Sequence, residues 1–169
     1  MKRLLLTIAI VLGIATMASA QNYAVVNSEK IFKSIESYNT AITELDKLAN
    51  GYQAEVDKKF EEVETLYNKY MERREQLNAA SQQATEQKIL EMEQEATKYQ
   101  ESIFGTDGTL MKKRLELIQP IQKSVFAAIE QYAQQKGFDM IIDISQNATM
   151  LYYSPKADHT QAVIDMLKK

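Results

Sequence analysis

Apolar positions in this chain follow two different periods. From Ala41 they fall at Leu45, Leu48, Tyr52, Val56, Phe60, Val63, Tyr67, Tyr70 and Leu77, in steps of three, four or seven that predict one long amphipathic helix. The stripe lapses over Asn78-Ala79-Ala80-Ser81-Gln82-Gln83 and resumes at Ile89, Met92, Ala96, Tyr99, Ile103 and Leu110. Two antiparallel helices joined near residues 79 to 84 are expected. The stripe then runs through Leu117, Ile121, Val125, Ala128 and Tyr132 to Lys136-Gly137, where a basic last turn followed by glycine marks a helix end. Pro120 sits inside this stretch and is expected to bend it or mark a junction.

The ends of the chain are patterned differently. Tyr23-Ala24-Val25-Val26 is a short β-prone run, and Asn27 or Ser28 can cap a helix starting at Glu29. Phe138 to Ile144 is rich in β-branched residues and too short for another helix, so it reads as a buried strand. A turn at Ser145-Gln146-Asn147 would lead to a second strand, Thr149 to Tyr153, pairing with the first as a hairpin. Thr160 to Lys169 then forms a short amphipathic helix. The fold class is therefore α+β, mainly α. Residues 21–37 and 121–169 make a small α/β oligomerisation body, and residues 38–120 form a protruding antiparallel helical hairpin, a coiled-coil arm. Each arm of about 40 residues would extend roughly 60 Å at 1.5 Å per residue. Strands this short give the body little core of its own, and self-association is the natural remedy.

The first twenty residues stand apart from both patterns. Lys2 and Arg3, the apolar stretch Leu4 to Val11 and the small residues Ala18-Ser19-Ala20 make up a secretory signal, with cleavage expected between Ala20 and Gln21. Gly13 and the small residues after it leave that stretch short of the ~20 apolar residues of a spanning helix. The chain has no cysteine, which removes disulfide staples, thiol catalysis and lipid attachment through a thiol. Without residues 1–20 the chain keeps 18 basic against 23 acidic residues, a net charge of −5. That balance argues against a nucleic-acid partner. With 5 glycines and 2 prolines in 169 residues, the composition favours long helices over a compact globule.

Candidate chemistry is sparse. His159, the one histidine, lies in Lys156-Ala157-Asp158-His159-Thr160 and reads as a surface turn residue. A metal site would need nitrogen or sulfur ligands that the chain does not supply. Carboxylates along the arms alternate with basic residues, as at Glu72-Arg73-Arg74-Glu75, in the manner of a solvated helix face. Gly105-Thr106-Asp107-Gly108-Thr109 interrupts the helical composition, yet Ile103 and Leu110 are seven apart and keep the stripe in phase. A continuous but weakened helix is expected there, with Gly105 and Gly108 as hinge candidates. A calcium loop at Asp107-Gly108 lacks the spaced acidic ligands such loops need. Asn147-Ala148-Thr149 fits a glycosylation sequon. No enzyme, cofactor or metal is expected from these residues.

The start Ala24-Val25-Val26-Asn27-Ser28-Glu29-Lys30-Ile31-Phe32 is similar to that of the Skp/OmpH family of periplasmic chaperones. Leu117-Ile118-Gln119-Pro120-Ile121-Gln122, Lys136-Gly137-Phe138-Asp139 and Leu151-Tyr152-Tyr153-Ser154-Pro155-Lys156-Ala157-Asp158 resemble the family's pattern in order and spacing. The resemblance covers essentially all of the chain after the signal. It implies a homotrimer in the periplasm, whose small bodies join into a barrel-like β structure and whose hairpins enclose a cavity. Unfolded outer-membrane β-barrel proteins would be held there without ATP. By the same resemblance Val25, Val26, Ile141, Ile142 and Ile144 lie where subunits meet. Among the arm residues Met71 and Phe104 fall off the stripe and are candidates to face clients. Tyr67 and Tyr70 are further candidates, although their spacing also suits the seam between the helices. One departure is plain. Well-known members have basic arms, whereas residues 55–101 here hold twelve acidic and seven basic side chains, a net −5.

The function expected is that of an ATP-independent holdase. The rival is a structural coiled-coil envelope protein without chaperone activity. An envelope hydrolase has least support, since one histidine and no cysteine leave few ways to activate a nucleophile. Contact with a membrane is not predicted.

Overall fold

The computed structural model describes residues 22–146 and 149–168. The signal segment, its cleavage site at Ala20-Gln21 and the Asn147-Ala148 part of the sequon lie outside the described residues. In order, the elements are β1 (Tyr23–Val26), α1 (Ser28–Lys33), α2 (Glu36–Arg73), a 3-10 turn (Arg74–Gln76), α3 (Ala79–Phe104), α4 (Thr109–Lys136), β2 (Met140–Asp143), a second 3-10 turn (Pro155–Ala157) and α5 (Thr160–Leu167). The described residues divide into two compact units, one running from Asn22 to Ile35 and resuming at Lys123, the other Glu36–Gln122. Among the described residues no helix is long and apolar enough to cross a membrane.

The first unit is built on a parallel strand pair. β1 and β2 align Tyr23 with Met140, Ala24 with Ile141, Val25 with Ile142 and Val26 with Asp143. Parallel neighbours need a long crossover, and here α1 to α4 supply it. On its other side β1 takes a single bridge from Val25 to Asp158. The expected hairpin is not formed: residues 149–153 are not a strand, and β2 pairs with β1 instead. β1 enters α1 through Asn27, whose side-chain oxygen accepts from the Lys30 backbone N–H at 2.9 Å. The apolar residues of this unit close a core of Val26, Ile31, Val125, Tyr132, Val163 and Ile164, against which Phe32, Ile129, Phe138 and Ile141 pack. α4 ends at Gly137, whose φ of 69° is the left-handed conformation that glycine adopts without cost.

Asp143 closes the sheet end. Its carboxylate accepts from the Ser28 backbone N–H at 3.0 Å, the Ser28 hydroxyl, and the backbone and hydroxyl of Ser145. Partial burial pushes its pKa up, but these hydrogen bonds outweigh that and hold it below the ordinary carboxylate value. Because the folded pKa is the lower one, the stabilisation is complete above the unfolded pKa and is lost as pH falls through the folded value. Asp143→Asn should therefore cost on the order of 1 kcal/mol at neutral pH, a figure reduced for solvent exposure. The difference from the parent should shrink below about pH 4 in urea titrations. Equal stability at neutral pH would contradict the assignment.

The second unit is helical throughout. α2 and α3 reverse through Arg74–Gln76 and Asn78, ahead of the expected joint, so that Ala79 already belongs to α3. Asn78 caps α3, its side-chain oxygen accepting from the Ser81 N–H at 2.9 Å. Helix α4 begins after a break rather than continuing α3: Gly105 ends α3, and Gly108 donates to the Gly105 carbonyl at 2.9 Å. The expected continuous helix across residues 105–109 is thus replaced by a tight turn. In this unit α4 returns along the start of α2, burying Ala41, Leu45 and Ile118 with Tyr38, Ile42, Leu110, Leu117 and Ile121 around them. α4 runs through Pro120 without interruption.

Candidate functional site

The seam between α2 and α3 is the first place to look for available apolar surface. Val56 and Ala96 are each 1% exposed and form its middle. Two tyrosines pin the register: Tyr70 donates to Glu86, and Tyr99 donates to Glu55. The Lys59 ammonium lies 5.1 Å from the centre of the Tyr99 ring. Hydrogen bonding to a carboxylate, helped by desolvation, raises both phenols above their ordinary pKa. Tyr70 is buried at 5% exposure, so as a candidate to face clients it is corrected: its ring belongs to the seam. Tyr67 and Met71, each 48% exposed, share a face of α2 turned away from the seam. Leu90 on α3 is comparably open, a position that the apolar stripe does not single out.

The turn between α3 and α4 forms a second apolar surface. Phe104, the last residue of α3, is 38% exposed. With Leu45 and Ala49 of α2 and with Leu110 and Met111 of α4 it lines a groove of about 370 Å³. Asp46 and Arg114 also line this groove. Gly105 and Gly108 are pressed against backbone here. A Cβ on Gly105 would stand 2.5 Å from the Glu101 carbonyl oxygen, and one on Gly108 would meet the Ile103 carbonyl group. Their lack of side chains is explained by this close approach.

In the first unit, Val25 and Val26 are 1% and 2% exposed, already covered by their own chain. Ile141, Ile142 and Ile144 are half-buried. The open apolar residues are others: Tyr23, Phe126, Met140, Leu151 and Tyr152, the last two at 96% and 80% exposure. His159 is not the surface turn residue expected. Its ring packs 4.8 Å from Phe138, its Nδ1 lies 2.7 Å from the Tyr132 hydroxyl, and its backbone N–H donates to Val25. Among the described residues no three His, Cys, Asp or Glu side chains gather as a metal would require.

Among the described residues the geometry assembles apolar surface set among solvated charges. That defines a mainly helical coiled-coil hairpin protein with a small α/β unit. Residues 22–167 match the family described as outer membrane protein (OmpH-like), and the chain belongs to that Skp/OmpH family. A protein of Aquifex aeolicus (strain VF5), itself uncharacterized, is 27% identical over 156 residues, covering 92% of this chain and 91% of the relative. Membership indicates a chaperone-type role in the cell envelope.

Proposed function

We propose that the protein is an ATP-independent periplasmic holdase, exported by a cleaved signal, that binds unfolded outer-membrane β-barrel proteins and keeps them from aggregating. The observation that carries this reading is the exposure of Tyr67, Met71, Leu90, Phe104, Met111 and Leu115 on the helical hairpin unit. Each is more than a third open to solvent on helices otherwise faced by charge. Scattered apolar side chains of this kind give many weak contacts, and thioethers adapt to varied sequences. The resemblance supplies the trimer. Its support here is the apolar surface of Tyr23, Met140, Leu151 and Tyr152, which a second copy would cover. In this reading no catalytic step and no cofactor is required.

The test is light scattering as a urea-unfolded outer-membrane β-barrel protein is diluted into buffer without nucleotide. Suppression of aggregation at a stoichiometric ratio of assembly to client is expected. Aggregation at the rate seen without the protein would leave the structural coiled-coil reading in its place.

A further inference from the structure

The groove beside the α3–α4 turn is distinct from the α2–α3 seam. Its floor is Leu45 and Ala49 on α2 and Leu110 on α4, with Phe104 and Met111 as partly open walls. At about 370 Å³ it holds one large side chain and the backbone on either side of it, near the lower end of the sizes that bind small ligands. The floor offers nothing to a charged group. The two charged residues that line it, Asp46 and Arg114, are of opposite sign. One acceptor and one donor suit the two polar groups of a peptide backbone, the N–H and the C=O, better than they suit an ion. The charge balance also sets this groove apart from residues 55–101, where twelve acidic face seven basic side chains.

We infer that this groove is a subsite for an extended, uncharged stretch of an unfolded polypeptide, taking one aromatic or branched aliphatic side chain against Leu45, Ala49, Phe104, Leu110 and Met111. The inference rests on the holdase reading and gives it a specific place of capture. The side chain enters over Ala49, whose methyl leaves the floor open. Asp46 accepts from a backbone N–H of the stretch and Arg114 donates to a carbonyl. Gly105 and Gly108 contribute by bringing the end of α3 close enough to the start of α4 to place Phe104 at the wall.

The experiment uses the whole chain purified from the envelope and, as probe, a fluorescein-labelled serine-threonine peptide carrying a single central phenylalanine. Binding is followed by anisotropy, and aggregation of an unfolded outer-membrane protein is measured on the same samples. Ala49→Phe, which fills the floor, should weaken the probe tenfold or more, and Met111→Lys, at an exposed wall, should do likewise without risk to folding. A peptide with serine in place of phenylalanine should not bind. Replacing the phenylalanine by benzoylphenylalanine should crosslink to Met111. Unchanged affinity in both variants, or crosslinks confined to the Tyr67 and Met71 face, would overturn the subsite while leaving holdase activity standing. Loss of aggregation suppression in the parent protein would strike the holdase reading itself. A change in native mass with Ala49→Phe, and no probe binding, would make the groove a contact between copies and overturn the inference.

Discussion

Gly108→Ala is expected to lower the unfolding free energy by about 1–3 kcal/mol, the range for forcing a methyl group into filled space. The added Cβ would stand 2.7 Å from the Ile103 carbonyl carbon and 2.9 Å from the Gly105 nitrogen. All of these neighbours are backbone, so no side chain can swing aside, and the end of α3 or the start of α4 has to move. Gly51 provides the opposite case in the same unit. It lies inside α2 with nothing within 4 Å of where a methyl group would sit, so Gly51→Ala should raise stability by roughly 0.5–1 kcal/mol through helix propensity. Urea unfolding of the two variants at one protein concentration checks both signs. If Gly108→Ala proves as stable as the parent, the tight turn is not the conformation of this segment, and a continuous helix through it becomes the better description.

The same turn shows how far helical period can be read. Ile103 and Leu110 are seven apart, and a stripe that stays in phase says only that the same face returns after two turns. An uninterrupted helix and two helices joined by a compact turn satisfy it equally. What distinguishes them is the approach of Gly108 to the Ile103 carbonyl, a contact with no trace in apolar spacing. Tyr67 and Tyr70 illustrate a finer limit. Both fit the stripe, yet Tyr70 is buried and Tyr67 is open, because a three-residue step swings about 60° away from a full turn and only one of the pair stays in a narrow seam.

Elements with local signals were legible: β1, the Asn27 cap, the two long helices, the end at Gly137 and the amphipathic α5 all follow from neighbouring residues. What depends on distant pairing was not. β1 and β2 meet in parallel across more than a hundred residues, and no turn residue announces such a pair, whereas Ser145-Gln146-Asn147 does suggest a hairpin. His159 was misplaced for the same reason. Its partners Tyr132 and Phe138 come from the end of α4 and the chain just beyond it, and nothing in Asp158-His159-Thr160 points to them. The exposure of Met71 and Phe104 follows from their falling off the stripe. Leu90 and Met111 could have been found by the same criterion applied to α3 and α4.

Ile31→Ala should have the largest effect of any single truncation considered, a loss of about 2–5 kcal/mol. Helix α1 has six residues, too few to be stable alone. It is held by Ile31, which is 0% exposed and sits among Val26, Val125, Val163 and Ile164. Shortening it removes its transfer energy and leaves a cavity bounded by β1, α4 and α5, each fixed elsewhere by its own contacts, so collapse of the surroundings is restricted. Ile31→Val should cost only about 0.5–1.5 kcal/mol, and the ratio of the two losses separates burial from a general sensitivity of α1. The exposed pair Glu29–Lys33, 2.6 Å apart on the same helix, supplies the contrast, since Glu29→Ala should change stability by no more than about 0.5 kcal/mol. Urea midpoints and slopes are to be compared at one protein concentration, because association of the chain would otherwise add its own dependence. A loss below about 1 kcal/mol for Ile31→Ala would mean that α1 does not close this core. The α/β unit would then be held chiefly by α4, α5 and the strand pair.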